Sequence, residues 1–166
     1  MSKTLDATPG RADLPDQGPL CDFREATLGD LGSIMAIERC SFPEPWPRSV
    51  FVGEICGRSW SQVIVAIREG ALVGYMVYWT VISEVHLLNL AVAPDWRRRG
   101  VGRELMRHLI DTGREEEVAE IVLEVRQSNR IAQQLYHSFH FEEIAVRPRY
   151  YSDNGEDALV MLLTLR

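Results

Sequence analysis

Residues 87–106 constrain the fold more than any other stretch, because a buried strand, a basic glycine turn and a helix follow one another there. Residues 87–92 are apolar on one face and mostly apolar on the other, which is typical of a strand covered on both sides. Pro94 ends the strand because it has no N–H for the sheet. Apolar residues then recur at helical spacing after Gly100 and Gly102, and Gly113 is expected to end that helix.

Arginines cluster around the start of this predicted helix. They are Arg97, Arg98, Arg99 and Arg103. A helix start leaves backbone N–H groups without partners and carries partial positive charge, and glycines let a phosphate approach that backbone. The turn therefore predicts a site for a phosphate-bearing ligand, with a solvated basic turn as the alternative.

The rest of the chain predicts a mixed α/β (α+β) fold. Strands are expected over residues 21–26, 63–68, 71–80, 119–126, 141–147 and 158–165, with a loop at 80–85. Helices are expected after residues 30 and 100, over 50–55, and after Ser128-Asn129, where Ile131 belongs to the apolar face. Helices alternating with strands and hairpins indicate a central, mostly antiparallel sheet with helices on both faces. Residues 1–20, rich in proline and glycine, predict a flexible extension before a domain over 21–166.

Composition limits the setting of the protein. Three cysteines without paired or metal-ligand spacing favour a reducing compartment, so we expect a cytoplasmic protein without a metal. No apolar run reaches the roughly 18 residues of a membrane span. The net charge of −6 argues against direct nucleic-acid binding and suits a basic peptide partner.

The motif Val-Ala-Pro-Asp-x-Arg-Arg-Arg-Gly-Val-Gly-Arg, between an apolar strand and an amphipathic helix, resembles the acetyl-coenzyme-A motif of the GNAT acetyltransferase superfamily. Further matches are Leu-Glu-Val-Arg-x-Ser-Asn, the later Leu-Tyr, and Arg-x-x-Tyr-Tyr. Together they are similar to the RimI group, bacterial alanine N-acetyltransferases that act on a ribosomal protein, over about residues 21–165. The chain departs from the family at His140, where the family usually has glycine, so the turn there is expected to change.

Acetyl transfer to an amine needs a base for the amine and a proton donor for the leaving thiolate. Glu124 lies in a strand among apolar neighbours, and partial burial makes a carboxylate a better base near neutral pH. Spacing alone favours Glu124 as a half-exposed strand residue, Tyr136 as core packing and Asn129 as a helix cap.

The resemblance implies acetyl-coenzyme A as co-substrate, Glu124 as proton acceptor and Tyr136 as proton donor. The coenzyme-binding residues it implies are Leu90, Ala91, Val92, Arg97, Arg98, Arg99, Gly100, Val101, Gly102, Arg103 and Asn129. The strand residues would pair with the pantetheine arm and the arginine turn would hold the pyrophosphate.

Aromatic residues on two loops are candidates for a substrate groove. Phe42 and Trp46 lie on a proline-rich loop, and Tyr150 and Tyr151 lie between the last two strands. They line a groove or, equally, Phe42 and Trp46 plug the core. We expect a monomer or weak dimer that acetylates the N-terminal peptide of a basic ribosomal protein. The alternatives are a small amine or lysine side chain as substrate, and an acyl-coenzyme-A sensor without turnover.

Overall fold

Seven strands and four α-helices form between residues 20 and 165, the part of the chain that the computed structural model describes. The strands are β1 Asp22–Glu25, β2 Ser61–Arg68, β3 Ala71–Val81, β4 Glu84–Val92, β5 Glu120–Arg126, β6 Glu142–Arg147 and β7 Ala158–Thr164. The α-helices are α1 Leu31–Ser41, α2 Arg48–Cys56, α3 Val101–Glu115 and α4 Arg130–His137. The predicted extension lies outside the described residues except for Leu20, which packs against the core.

All seven strands join one sheet in the order β1-β2-β3-β4-β5-β7-β6. Neighbouring strands are antiparallel except β4 and β5, which are parallel. The prediction of a mixed, mostly antiparallel sheet is therefore confirmed. No helix within residues 20–165 is long and apolar enough to cross a membrane.

The helices cover both faces of this sheet. The apolar side of α3, with Leu105 and Leu109, packs on one face together with Tyr136 of α4. On the other face, Ile34 of α1 and Phe51 of α2 pack against β2, β3 and β4. These two cores confirm the predicted layers, and below we call the faces the α3–α4 face and the α1–α2 face.

The central strands β4 and β5 pair along only part of their length. Residues 84–87 of β4 pair with residues 120–123 of β5, and no β5 partner is found for β4 beyond Leu87 in the described sheet. A β-bulge lies at Leu88, since Asn89 is opposite Val77 whereas Leu87 is opposite Tyr78. The unbroken alternation expected for residues 87–92 is therefore wrong at Leu88. We call the gap between residues 88–92 and the end of β5 the opening.

Two boundary predictions are wrong. The loop expected at residues 80–85 is instead a two-residue turn, Ile82-Ser83, because β3 reaches Val81 and β4 begins at Glu84. The helix α3 continues past Gly113 to Glu115. A Cβ at Gly113 would lie 3.0 Å from Leu165 Cδ1, so this glycine serves close packing rather than helix termination.

Two details of α4 also differ from expectation. Ile131, placed on the apolar face by its spacing, is 82% exposed, whereas Gln133 is buried and donates to the Arg126 carbonyl. His140 follows α4 with a φ of 67°, a left-handed conformation that favours glycine. Histidine thus adopts here a backbone conformation that glycine takes more easily.

Candidate active site

Glu124 lies beside the opening as the first β5 residue beyond the paired segment. Its neighbours Leu123 and Val125 point into the core of the α3–α4 face, so the Glu124 side chain points to the α1–α2 face. The side chain is 20% exposed, and Arg147 of β6 lies 3.1 Å from its Oε1. The carboxylate is therefore half-buried, ion-paired and within reach of a ligand approaching the opening from that face.

Tyr136 lies on the opposite side of the sheet, in the core of the α3–α4 face. Its ring packs 5.9 Å from that of Phe141, and the residue is 8% exposed. Burial raises the pKa of Tyr136 to about 12, so the phenol keeps its proton at neutral pH. No hydrogen-bond partner for its hydroxyl is found among residues 20–165. A protonated phenol and a carboxylate thus stand on opposite faces of the sheet.

The start of α3 offers donors and positive charge to an anion. Gly100 is the N-cap with a φ of 89° and provides no side-chain cap, so the first-turn amides have no partner from it. Within the described chain, Arg98, Arg99 and Arg103 form no ion pair with a carboxylate. Instead Arg99 lies 5.3 Å from the Trp96 ring and Arg103 lies 5.4 Å from the Phe139 ring. This arrangement suits a phosphate group.

Arg97 differs from the other arginines of the turn. Its guanidinium donates to the Val92 carbonyl at 3.0 Å, the Cys40 carbonyl at 3.2 Å and Ser41 Oγ at 3.0 Å. These bonds tie the end of β4 to the end of α1. The structure thus gives Arg97 a bracing role, and its contact with the coenzyme stays a prediction.

Gly102 faces the space between β4 and α4. A Cβ there would lie 3.6 Å from Leu135 Cδ2 and 3.8 Å from Val92 Cγ2, both ordinary contact distances. A methyl group is therefore tolerated by the fold, whereas a larger side chain would fill the space beside the α3 amides. Binding of the coenzyme pyrophosphate in that space stays a prediction.

Asn129 caps α4, since its Oδ1 accepts from the Ala132 amide at 3.1 Å. The preceding turn is held by Glu156, whose carboxylate accepts from the Ser128 amide at 2.6 Å and lies 3.3 Å from Arg126. Hydrogen bonds from Ser128 are the main cause that lowers the pKa of Glu156 to about 2. The helix-cap interpretation of Asn129 is correct, and its contact with the coenzyme stays a prediction.

The two aromatic loops meet. Ser152 Oγ in the β6–β7 loop donates to Glu44 in the α1–α2 loop at 3.0 Å. Tyr150 is 47% exposed, and its ring lies 5.2 Å from that of Tyr151. The Trp46 ring packs 5.6 Å from that of Phe51 in α2.

Phe42 and Trp46 are half-buried against the core of the α1–α2 face, so the plug interpretation holds for their inner surfaces. Their loop still lies beside that of Tyr150 and Tyr151. A groove between the two loops stays a prediction.

Sequence reasoning missed Glu38, a carboxylate that is 0% exposed on the inner side of α1. Its Oε1 accepts from the Trp46 amide at 2.7 Å, and its Oε2 accepts from the Tyr75 hydroxyl and from Asn89 Nδ2. Burial, and then the bond to Glu38, raise the pKa of Tyr75, so the phenol remains a donor. The available signal was a glutamate on the same helical stripe as Leu31 and Ile34.

Metal ligands do not converge anywhere in residues 20–165, where no group of three His, Cys, Asp or Glu side chains could hold an ion.

The sequence pattern of the Acetyltransferase (GNAT) family matches residues 31–141. A putative [ribosomal protein bS18]-alanine N-acetyltransferase of Bacillus subtilis is 34% identical over 142 residues, covering 86% of this chain and 94% of that protein. The [ribosomal protein bS18]-alanine N-acetyltransferase of Escherichia coli K12 is 36% identical over 138 residues, covering 82% and 92%.

Solved structures give the same result. The crystal structure of the ribosomal-protein-S18-alanine N-acetyltransferase from Escherichia coli superposes with a TM-score of 0.81 at 33% identity, covering 87% of this chain and 94% of that one. Arabidopsis thaliana NAA60 in complex with acetyl-CoA, at 18% identity, shares the fold with a TM-score of 0.78, covering 87% and 98%. The chain therefore belongs to the acetyltransferase (GNAT) family and is an acetyl-coenzyme-A-dependent N-acetyltransferase.

Proposed function

We propose that this enzyme, RimI-like, acetylates the N-terminal α-amine of a protein that begins with alanine, as the names of its bacterial relatives state for ribosomal protein bS18. The observation that carries the proposal is the position of Glu124. It stands beside the opening, on the same face as the two aromatic loops. An extended peptide end between those loops would bring its amine to this carboxylate.

Each functional group of the chain has one task in this proposal. Acetyl-coenzyme A supplies the acetyl thioester, and the arginines and amides at the start of α3 hold its phosphates. Glu124 accepts the proton of the attacking amine on the α1–α2 face. The backbone near Leu90 polarises the thioester carbonyl, and Tyr136 gives its proton to the thiolate on the α3–α4 face.

One carboxylate base suits an α-amine better than a lysine. An α-amine has a reference pKa of about 7.7–8.0, against about 10.4 for lysine. At pH 7.4 roughly a quarter of α-amines are neutral, compared with about one lysine in a thousand. Deprotonation by Glu124 is therefore a smaller requirement for an N-terminal amine than for a lysine side chain. The protein's net charge of −6 further favours a basic substrate.

The test is a peptide panel incubated with acetyl-coenzyme A, with products located by mass spectrometry. We expect acetylation at the α-amine of peptides that begin with alanine followed by basic or polar residues. The matched control is the same peptide with a blocked N-terminus and an internal lysine, which should react far more slowly. Faster reaction of lysines or free polyamines would contradict the proposal in favour of a small-amine or lysine substrate. Coenzyme binding without release of thiol would indicate a sensor.

A further inference from the structure

Glu38 is the most deeply buried acidic residue that the proposed chemistry does not use. A carboxylate withdrawn from water is strongly destabilising unless donors surround it, and Glu38 has three. They are the Trp46 backbone amide, the Tyr75 hydroxyl and the Asn89 side-chain amide. The side chain is therefore held in one orientation by bonds to both of its oxygens.

The three donors come from one loop and two neighbouring strands. Trp46 belongs to the loop at residues 42–47, which borders the predicted peptide groove. Tyr75 is in the middle of β3. Asn89 lies on β4 two residues beyond Leu87, the last one paired with β5, and so borders the opening. One carboxylate therefore connects the loop beside the groove to the strand that borders the opening.

The Asn89 amide depends on Glu38 for its orientation. A carboxylate only accepts, so the atom facing Glu38 must be Nδ2, which lies 3.2 Å from Oε2. Asn89 Oδ1 is buried and has no hydrogen-bond partner within residues 20–165. The Tyr75 hydroxyl, the other polar group beside Asn89, is itself bonded to Glu38, so the carboxylate orients both side chains.

We propose that Glu38 is a positioning residue that fixes the loop at residues 42–47 against the edge of the opening, and so sets the affinity for the peptide substrate rather than for the coenzyme. The inference rests on the proposed function, because it needs a peptide in the groove beside Trp46. Acetyl-coenzyme A is expected to contact the start of α3 and the backbone of residues 90–92, whereas the only bond of Glu38 to that strand in residues 20–165 is to the Asn89 side chain.

The test compares Glu38→Gln with Glu54→Gln. Glutamine keeps the length of the side chain but replaces one carboxylate oxygen by an NH₂ group. That group cannot accept the hydrogen bond that the oxygen accepted. Glu54 is the matched control because its Oε2 also joins a helix to strands, accepting from Ser61 Oγ and from Trp79 Nε1 at 2.7 Å. Its contacts lie towards the end of β3 that is remote from the opening.

For Glu38→Gln we expect the peptide KM to rise about tenfold, the size expected for loss of one charge-assisted hydrogen bond. The kcat should change less, and the acetyl-coenzyme A Kd should stay the same. Hydrogen exchange at the Trp46 amide, followed by NMR, should accelerate. Glu54→Gln should lower the melting temperature while leaving the peptide KM and the Trp46 exchange rate unchanged.

Several results would overturn the inference alone, provided that the wild type acetylates peptide N-termini. They are an unchanged peptide KM in Glu38→Gln, an equal rise of the peptide KM in Glu54→Gln, or a higher acetyl-coenzyme A Kd in Glu38→Gln. If Glu38→Gln does not fold, hydrogen exchange of the wild type still tests the inference. Rapid exchange at its Trp46 amide would show that the bond from this amide to Glu38 is absent, and would overturn the inference. A wild type that acetylates no peptide N-terminus would overturn the proposed function and the inference with it.

Discussion

Replacing Tyr136 with phenylalanine should separate its catalytic role from its packing role. The substitution keeps the ring that packs against Phe141 and removes only the hydroxyl. That hydroxyl makes no hydrogen bond to residues 20–165, so no partner inside the described structure loses a bond. If Tyr136 donates the proton to the thiolate, the variant should lose turnover without losing stability.

The structure sets the size of both effects. The Tyr136 hydroxyl has no hydrogen-bond partner within residues 20–165 and is not fully buried, so Tyr136→Phe should change the free energy of unfolding by less than about 1 kcal/mol. Loss of a general acid typically lowers the rate by about 10²–10⁴-fold. Because the pKa of Tyr136 is raised to about 12, deprotonation of Tyr136 should not reduce wild-type kcat at any assay pH up to about 10.

The assay measures thiol release with saturating peptide and acetyl-coenzyme A, and urea unfolding of the same samples. Tyr78→Phe is the matched control, because Tyr78 is also buried in the core of the α3–α4 face and its pKa is also raised to about 12 by burial. Its hydroxyl likewise makes no hydrogen bond to residues 20–165. Tyr78→Phe should show the same small change in stability and near-normal turnover.

Two outcomes would refute this reasoning. If Tyr136→Phe keeps turnover within about threefold of the wild type, below the usual range for a general acid, the residue is core packing only. If both variants lose turnover equally, the loss comes from the shared core rather than from a proton donor.

Three further substitutions test the remaining parts of the site. Gly102→Val should weaken acetyl-coenzyme A binding strongly. Gly102→Ala and the control Gly53→Ala should keep the fold, because a methyl group fits at both positions. Unchanged coenzyme affinity of Gly102→Val, measured by calorimetry, would count against a phosphate at the start of α3. Glu124→Gln should lower the rate more at low than at high pH, since a base matters most where little amine is neutral, and an equal deficit across the pH–rate profile would indicate positioning. His140→Gly should raise the free energy of unfolding by about 1 kcal/mol, since it relieves a left-handed φ of 67°, and a lower value in urea unfolding would contradict this.

Local patterns predicted most of the elements because each depends on short-range chemistry. Glu69 and Gly70 lie between the predicted strands 63–68 and 71–80, and both have positive φ, at 52° and 76°, in the turn between β2 and β3. Asn129 was read as a helix cap and accepts the expected amide. The candidate residues Glu124 and Tyr136 came from the motif, and only the fold places them on opposite faces.

The wrong predictions share a tertiary cause. Gly113 fails as a helix end because Leu165 packs closely over it, which no local rule contains. Ile131 is exposed although its spacing fits the apolar face, because Gln133 takes the buried position to satisfy carbonyls of the turn before α4. Glu38 has helical spacing with Leu31 and Ile34, but its donors come from residues 46, 75 and 89. Such distant partners are not visible in the sequence.

The opening itself has a physical explanation that links these observations. Beyond Leu87, β4 stays paired with β3 as far as Val92, and β5 stays paired with β7 as far as Arg126. Each strand is thus held on its outer side while its backbone groups facing the opening have no partner in the sheet. Buried backbone groups need partners, so the sheet favours a ligand that supplies amide donors and acceptors of its own. The amide-bearing arm of coenzyme A offers such groups, so the prediction that it pairs with residues 90–92 requires main-chain contacts alone.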